Sequence, residues 1–294
     1  MLELERIHSH LLWLGIAGHI LGFDTVLMQS WRIREPVMWL CEEITGNRKS
    51  YGMNLVGGVR RDISRDQYPK ILDILGRIEA ESLKVIDAIA GDTTLHMRLQ
   101  GVGVLSTEDA RRLCVVGPTA RGSGVKIDAR VTHPYAAYAE LRPLMRVHSE
   151  GDSWARTLVR LEELLDSVNL VRRGLELMPS GEILADVKEV PAWRQGISVV
   201  EAPRGEDVHY VLTSPDNRPY RWRVRAPTYT NLQALPTLIQ GATIADVPII
   251  LGSIDPCFSC TERVEVVDVK TKKLRVYSNE ELVAMSQRVG GNKA

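Results

Sequence analysis

Two stretches of this chain repeat apolar residues at alternating four- and three-residue steps, and that spacing leaves the backbone little choice. From Gln67 to Ala90, the residues Ile71, Leu75, Ile78, Ser82, Val85 and Ile89 share one face of a 3.6-residue helix that Gly91 closes. From Asp152 to Val171, Leu158, Leu161, Leu165 and Val168 repeat the pattern behind an Asp-Ser start suited to capping. Residues 3–30 put Leu4, Ile7, Leu11 and Leu14 on one face and Gly15, Gly18 and Gly22 on another. This predicts one core helix whose glycine face admits a neighbouring backbone. A second helix is expected from Pro36 to Thr45, stopping at Gly46. Gly101–Asp128, rich in glycine and small residues, reads as irregular. Gly196–Arg225 alternates as a β meander with turns at Pro203–Gly205 and Pro215–Asn217, and helices resume after Asn231. The expected fold class is mostly α with a small β meander (α+β). One domain is expected over 1–263, followed by an extension over 264–294 that reads as strand, turn, strand and a short helix opened by a Ser278–Glu281 capping box.

Charge excludes one class of partner. Lys plus Arg and Asp plus Glu both number 37, so the chain has no basic footprint for nucleic acid. Four cysteines in 294 residues are too few and too scattered for a disulfide scaffold, and the acidic, histidine-bearing start MLELERIHSH is no secretory signal. A cytoplasmic protein is expected. Leu11–Met28 is the one long apolar run, but His19 and Asp24 interrupt it, and a charged group at bilayer depth costs about 2.5–3.5 kcal/mol. It reads as a buried helix, with Asp24 a buried carboxylate, and any membrane attachment is expected through partner subunits. Cys41 and Cys114, in apolar surroundings, read as small core residues.

The chemistry concentrates in Asp255-Pro-Cys-Phe-Ser-Cys-Thr-Glu-Arg263. Two thiols three positions apart after a proline-fixed turn can converge on one soft metal. Cys257 and Cys260 cannot complete a tetrahedral zinc site, and no second CxxC or HxxxH stands elsewhere. By spacing alone the pair is half of a metal site, a redox dithiol or packing.

This segment resembles the C-terminal Asp-Pro-Cys-x-x-Cys motif of nickel-iron hydrogenase large subunits. The resemblance runs through nearly the whole chain: ELERIHSHLLWLG at 3–15, LCEEITGNRKSYGMNLVGGVRRD at 40–62, GPTARGSG at 117–124, GDSWAR at 151–156, EAPRGE at 201–206 and APTYTN at 226–231. These segments are similar to energy-converting membrane-bound hydrogenases and to the homologous quinone-site large subunit of respiratory complex I. In the complex I protein the cysteine pair is lost; its presence here points to the hydrogenase.

The resemblance implies a nickel-iron centre whose iron carries carbonyl and cyanide, with Cys257 a terminal nickel thiolate and the catalytic base, and Cys260 bridging the two metals. It places Arg204 near the centre beside Asp255, with Pro203 and Thr228 lining the same pocket. Ser9 stands where soluble uptake hydrogenases carry an aspartate, matching the energy-converting branch; His8 and His10 read as helix residues rather than ligands. Arg263 stands where uptake enzymes have a metal-binding histidine, so no magnesium site is carried over. The family's first CxxC and its proton-relay glutamate precede the position at which Met1 aligns. A separate N-terminal CxxC-bearing chain, or a truncated reading of the gene, is expected to account for them. The implied partners are an iron-sulfur small subunit, which holds the iron-sulfur clusters, and membrane ion-translocating subunits. Ferredoxin or formate-derived electrons are the inputs the resemblance suggests, and nothing in the residues chooses between them. Residues 264–294 are implied to be removable on maturation.

Overall fold

The long apolar run breaks at Leu21–Gly22, where Gly22 takes φ +83°, so the computed structural model has two helices where one was expected over 3–30: α1 (Leu2–Ile20) and α2 (Asp24–Thr45). The structure describes residues 1–261 and, past them, 266, 267, 271, 274, 275, 277, 278, 280, 281, 283, 284 and 287. The expected glycine face exists: a Cβ on Gly15 would lie 2.6 Å from the Trp31 ring and one on Gly18 2.7 Å from Val26, so α2 packs onto α1 through that stripe. Pro36 is inside α2, not in the first turn of a later helix. The carbonyl it leaves without a helical donor is that of Arg32, an exposed residue that water can reach. Asp24 is not buried. It opens α2 with its side chain 73% exposed and a 2.6 Å contact to His19.

A short antiparallel hairpin, β1 (Asn54–Leu55) and β2 (Gly58–Val59), leads to α3 (Tyr68–Ala90) and α4 (Thr93–Leu99). The segment read as irregular contains two short helices, α5 (Thr107–Arg112) and α6 (Gly117–Arg121); Ser106 caps the first by accepting from the Asp109 N–H. Cys114, expected in the core, is exposed, because its residue leaves α5 in a left-handed conformation (φ +54°). Cys41 is buried as expected. After α7 (Ala129–Thr132) and α8 (Tyr138–Leu141) comes α9 (Ser153–Glu176), capped by Asp152. The meander β3 (Gln195–Ala202), β4 (Gly205–Thr213) and β5 (Pro219–Arg225) is antiparallel in that order. Three short helices follow, α10 (Pro227–Leu232), α11 (Leu235–Ile239) and α12 (Val247–Ser253).

The chain divides into two compact units, Met1–Cys257 and Phe258–Ala294. In the second, β6 (Val266–Val267) pairs antiparallel with β7 (Leu274–Arg275), and Ser278 and Glu281 exchange both capping-box hydrogen bonds. The rest of the expected strand and helix pattern there, and Arg263, lie outside the described residues. Among the described residues no helix is long and apolar enough to cross a membrane.

In the first unit, Leu4, Ile7 and Leu11 meet Ile33, Val37 and Leu40 of α2, Ile71, Leu75 and Ile78 of α3, and Leu164 and Val168 of α9. Of the expected α9 stripe, Leu161 and Val168 are buried and Leu158 and Leu165 half-buried. A second stripe on α9 is polar and equally buried: Arg156, Arg160, Glu163 and Ser167. Glu163 accepts from Arg121 (Nη2, 2.6 Å) and faces His10 at 2.9 Å; Arg121 also donates to Glu201 (2.8 Å) and to the Ile127 carbonyl (2.8 Å). Arg130 clasps Asp128 at 3.0 and 2.7 Å and reaches Glu3, which also accepts from Tyr138 and Ser167. Arg6 donates to the Glu201 and Ala202 carbonyls. One connected network thus ties α1, α6, α7, α8, α9 and β3.

Removing one member leaves its partners charged and unpaired. Arg121→Met is expected to lose about 3–5 kcal/mol, read as a lower denaturant midpoint. Arg121→Lys should restore little, since one ammonium cannot replace a fork that serves Glu163, Glu201 and a carbonyl together.

Acid should also weaken the fold. Burial, reinforced by Lys49 and Arg34, pushes His8 down to about 3, and burial takes His10 down to about 4 against the pull of Glu163. Glu3 sits at about 2 because Arg6 and Arg130 outweigh its burial. Below the histidines' ordinary 6.5 the unfolded chain takes up protons that the folded chain refuses, so stability falls from there toward the folded values; Glu3 adds its loss between its ordinary 4.5 and about 2. Melting temperature should therefore drop steadily from about pH 6.5 to about pH 4, and a His8→Asn/His10→Gln variant should show a shallower slope over that interval.

Candidate functional site

The turn between β3 and β4 is held by contacts between main chains. Gly205 takes φ +126° and Gly117 φ +65°. A Cβ on Gly117 would sit 2.3 Å from the Arg204 carbonyl oxygen, and one on Gly205 2.6 Å from the Gly117 nitrogen. Only glycine fits at either place. Asn231 closes the arrangement from α10: its amide nitrogen donates to the Arg204 carbonyl (3.2 Å) while its oxygen accepts from the Val116 N–H (2.9 Å).

So fixed, Arg204 reaches the loop after α12, while Pro203 precedes it in the turn; both are half-buried. Arg204 donates through Nε to the Asp255 carbonyl (2.8 Å), through Nη2 to Asp255 Oδ1 (2.9 Å) and through Nη1 to Ser9 Oγ (3.3 Å). Asp255 adopts a left-handed conformation (φ +53°), unusual for a residue with a side chain, which bends the loop toward the arginine. Its other oxygen, Oδ2, is buried and, among the described residues, accepts no hydrogen bond. Two residues on, the N–H of half-buried Cys257 donates to Thr228 Oγ1 (3.1 Å), and Thr228 is itself buried near the start of α10.

The first unit therefore brings Ser9, Arg204, Thr228, Asp255 and Cys257 together. Cys260 opens the second unit, exposed, on the short 3-10 turn Phe258–Thr261. Among the described residues, no three His, Cys, Asp or Glu side chains gather to hold a metal. His10 is committed to Glu163. Sequence reasoning missed Arg121, Glu163, Glu201 and Arg160. The available signal was the polar residues Arg156, Arg160, Glu163 and Ser167, which recur on α9 at the same four- and three-residue steps as the apolar ones.

The fold and this arrangement fit a known class. The model of the respiratory-chain NADH dehydrogenase 49 kDa subunit matches residues 21–195 and 188–263, and the chain belongs to that family. Among its relatives, formate hydrogenlyase subunit 5 of Escherichia coli (strain K12) is 40% identical over 96% of this chain and 50% of its own length. The membrane-bound hydrogenase subunit alpha of Pyrococcus furiosus is 39% identical over 97% of this chain and 70% of its own, and the D 2 subunit of the NADH-quinone oxidoreductase of Thermodesulfovibrio yellowstonii is 33% identical over 86% and 71%. Among solved structures, a chain of the membrane-bound sulfane sulfur reductase, an archaeal respiratory membrane complex, superposes with a TM-score of 0.81 at 32% identity, over 87% of this chain and 71% of that one. The chain spans about half the length of the Escherichia coli relatives it matches.

Because the turn and α6 touch without side chains between them, Gly117→Ala should introduce about 1–3 kcal/mol of backbone strain even before the overlap with Arg204 is counted. A lowered melting temperature is the expected outcome.

Proposed function

We propose that this chain is the C-terminal half of the catalytic large subunit of an energy-converting nickel-iron hydrogenase. It reversibly reduces protons to dihydrogen with electrons from ferredoxin or formate oxidation, coupled to ion translocation. The observation that carries the reading is the Arg204–Asp255 pair set against Cys257, whose backbone Thr228 fixes, in a chain that keeps both thiols of Asp-Pro-Cys-x-x-Cys.

The residues fit a nickel-iron centre in kind. Thiolates are the soft ligands that nickel and low-spin iron prefer, and the Arg204 guanidinium, held by Asp255, is a cationic donor suited to small anionic ligands. Cys257 and Cys260 would hold the metals together with two further thiolates from a CxxC-bearing segment. When bound, the centre, with carbonyl and cyanide on its iron, supplies the place where dihydrogen is split or formed heterolytically. Cys257 then takes or releases the proton at Sγ. Arg204 offers a positive charge at the loop that carries Cys257, and Asp255, through Oδ1 and its carbonyl, keeps the guanidinium from swinging away. Pro203 and Thr228 confine the space around it. An iron-sulfur small subunit and membrane subunits complete the enzyme, which sits peripherally at the cytoplasmic face of the membrane through those partners.

The test is nickel and iron content of the complex from its native host, with mass spectrometry of its subunits and of the C-terminus. Nickel near one per chain is expected, falling to background in Cys257→Ala. Arg204→Lys should keep the metal and lose activity by about two orders of magnitude, because a lysine cannot hold Asp255 and Ser9 at once.

A second reading, a nickel-free oxidoreductase of the complex I type, draws on the NADH-quinone oxidoreductase and sulfane sulfur reductase relatives. A nickel-free, fully active complex would establish it in place of the hydrogenase. Full activity in Cys257→Ala would leave the chain a structural subunit.

A further inference from the structure

Helix α9 carries two arginines one turn apart, Arg156 and Arg160, that are 0% and 1% exposed. Their surroundings differ. Arg156 is a strut: Nε donates to Ser253 Oγ (2.9 Å), Nη1 to the Gly151 carbonyl (2.7 Å), and Nη2 to the Gly103 carbonyl (2.8 Å) and Ser153 Oγ (3.1 Å). Among the described residues, Arg160 donates once, from Nη1 to the Arg156 carbonyl (2.9 Å), and its Nε and Nη2 have no acceptor.

Those two nitrogens form the side-on fork of a guanidinium. Elsewhere in this chain the same edge grips carboxylates, in Arg130 with Asp128 (3.0 and 2.7 Å) and in Arg146 with Asp166 (2.6 and 2.7 Å). In Arg160 the guanidinium instead lies over the Trp13 ring, 4.5 Å from its centroid. A buried cation without an ion pair burdens the fold, and such groups persist mainly where function needs them. The complementary open valence is reached through the same ring: Trp13 Nε1 and the Asp255 N–H both donate to the Gly252 carbonyl (2.8 and 3.0 Å), and Asp255, 7% exposed, has Oδ1 on Arg204 and, among the described residues, no donor at Oδ2. Burial lowers Arg160 to about 10, and of the acids opposing that, Asp255 acts most strongly, ahead of Glu163.

We propose that Arg160 is a positioning residue of the catalytic centre, a buried second cation that holds the Asp255 carboxylate in line with Arg204 and the Cys257 loop without forming a contact pair with it. A contact pair would draw Asp255 off Arg204; a cation held back on Trp13 attracts it through a low-dielectric interior and leaves Oδ1 to Arg204. Together Arg160, Arg204 and Asp255 leave one net positive charge beside Cys257, as a thiolate requires. The inference rests on the reading of this loop as the active centre.

Two properties separate this role from a structural one, and both are read on the full complex. Replacing an unpaired buried cation by an apolar side chain of similar length should not weaken the fold, so R160M and R160L should melt at or above the wild-type temperature while losing about tenfold or more of activity. R160K, which keeps the charge, should recover part of that activity. The second readout is a melting cycle. In the D255N background, where Arg160 loses the acid that attracts it most strongly, R160M should raise the melting temperature by about 2–4 °C more than it does with Asp255 present.

If both R160M and R160L melt lower or fail to assemble, Arg160 is a packing residue and the proposal is overturned. An equal effect of R160M with and without D255N would overturn it too, because Arg160 would then not act through Asp255. Nickel-free wild-type complex would sink the hydrogenase reading alone, since the melting cycle depends only on residues of this chain.

Discussion

Arg121 is the interaction on which the rest of the first unit depends. It is fully buried, and its guanidinium binds Glu163 of α9, Glu201 of β3 and the carbonyl of Ile127 at once. Apolar contacts alone could pack α1 against α9 in several registers, because one leucine stripe resembles another. A fork that must satisfy two carboxylates from different elements accepts only one. The same network closes through Arg6, which binds the carbonyls of Glu201 and Ala202 one step before the Pro203–Arg204 turn. Register in the core and the position of the Pro203–Arg204 turn are therefore set by one set of charges. Glu201 is raised by its burial, against the pull of Arg121, while Glu163 is held well below the carboxylate range; two acids on one arginine thus have opposite tendencies.

The loop after α12 follows the same logic. Arg204 holds Asp255 through side chain and main chain, Thr228 holds the Cys257 N–H, and Ser9 of α1 completes the fork. Each contact joins segments far apart in sequence, so the site forms only once α1, the meander and the loop after α12 are assembled. The backbone of Cys257, placed on such a frame, is oriented by the fold rather than by its neighbours in the chain.

Much of the framework and part of the site were legible in the residue order. The spacing of Ile71, Leu75 and Ile78 announced α3, and the glycines at 15 and 18 announced a close helix neighbour. The Arg204–Asp255 pairing was expected from resemblance, and the chain has it. What periodicity could not supply was the identity of long-range partners. Leu21–Gly22 broke a run that hydrophobicity left continuous, because a single left-handed residue ends a helix without any change in polarity. Asp24 and Cys114 were assigned to the interior on the strength of apolar neighbours, yet one residue of backbone rotation turns a side chain outward. The polar stripe on α9 went unread because charge at helical spacing ordinarily marks a solvated face; here the solvent is replaced by Arg121, His10 and Arg6.

The contact between Gly117 and Gly205 has a mechanical meaning. Most functional arginines are placed through a train of side-chain rotamers, each with its own play, and their positional error grows along that train. Here the root of Arg204 is seated main chain on main chain, with no torsion interposed between α6 and the turn. The joint therefore has almost no backlash: a displacement of α6 is passed to the arginine undiminished, and the arginine, when pulled by its surroundings, moves α6 in return.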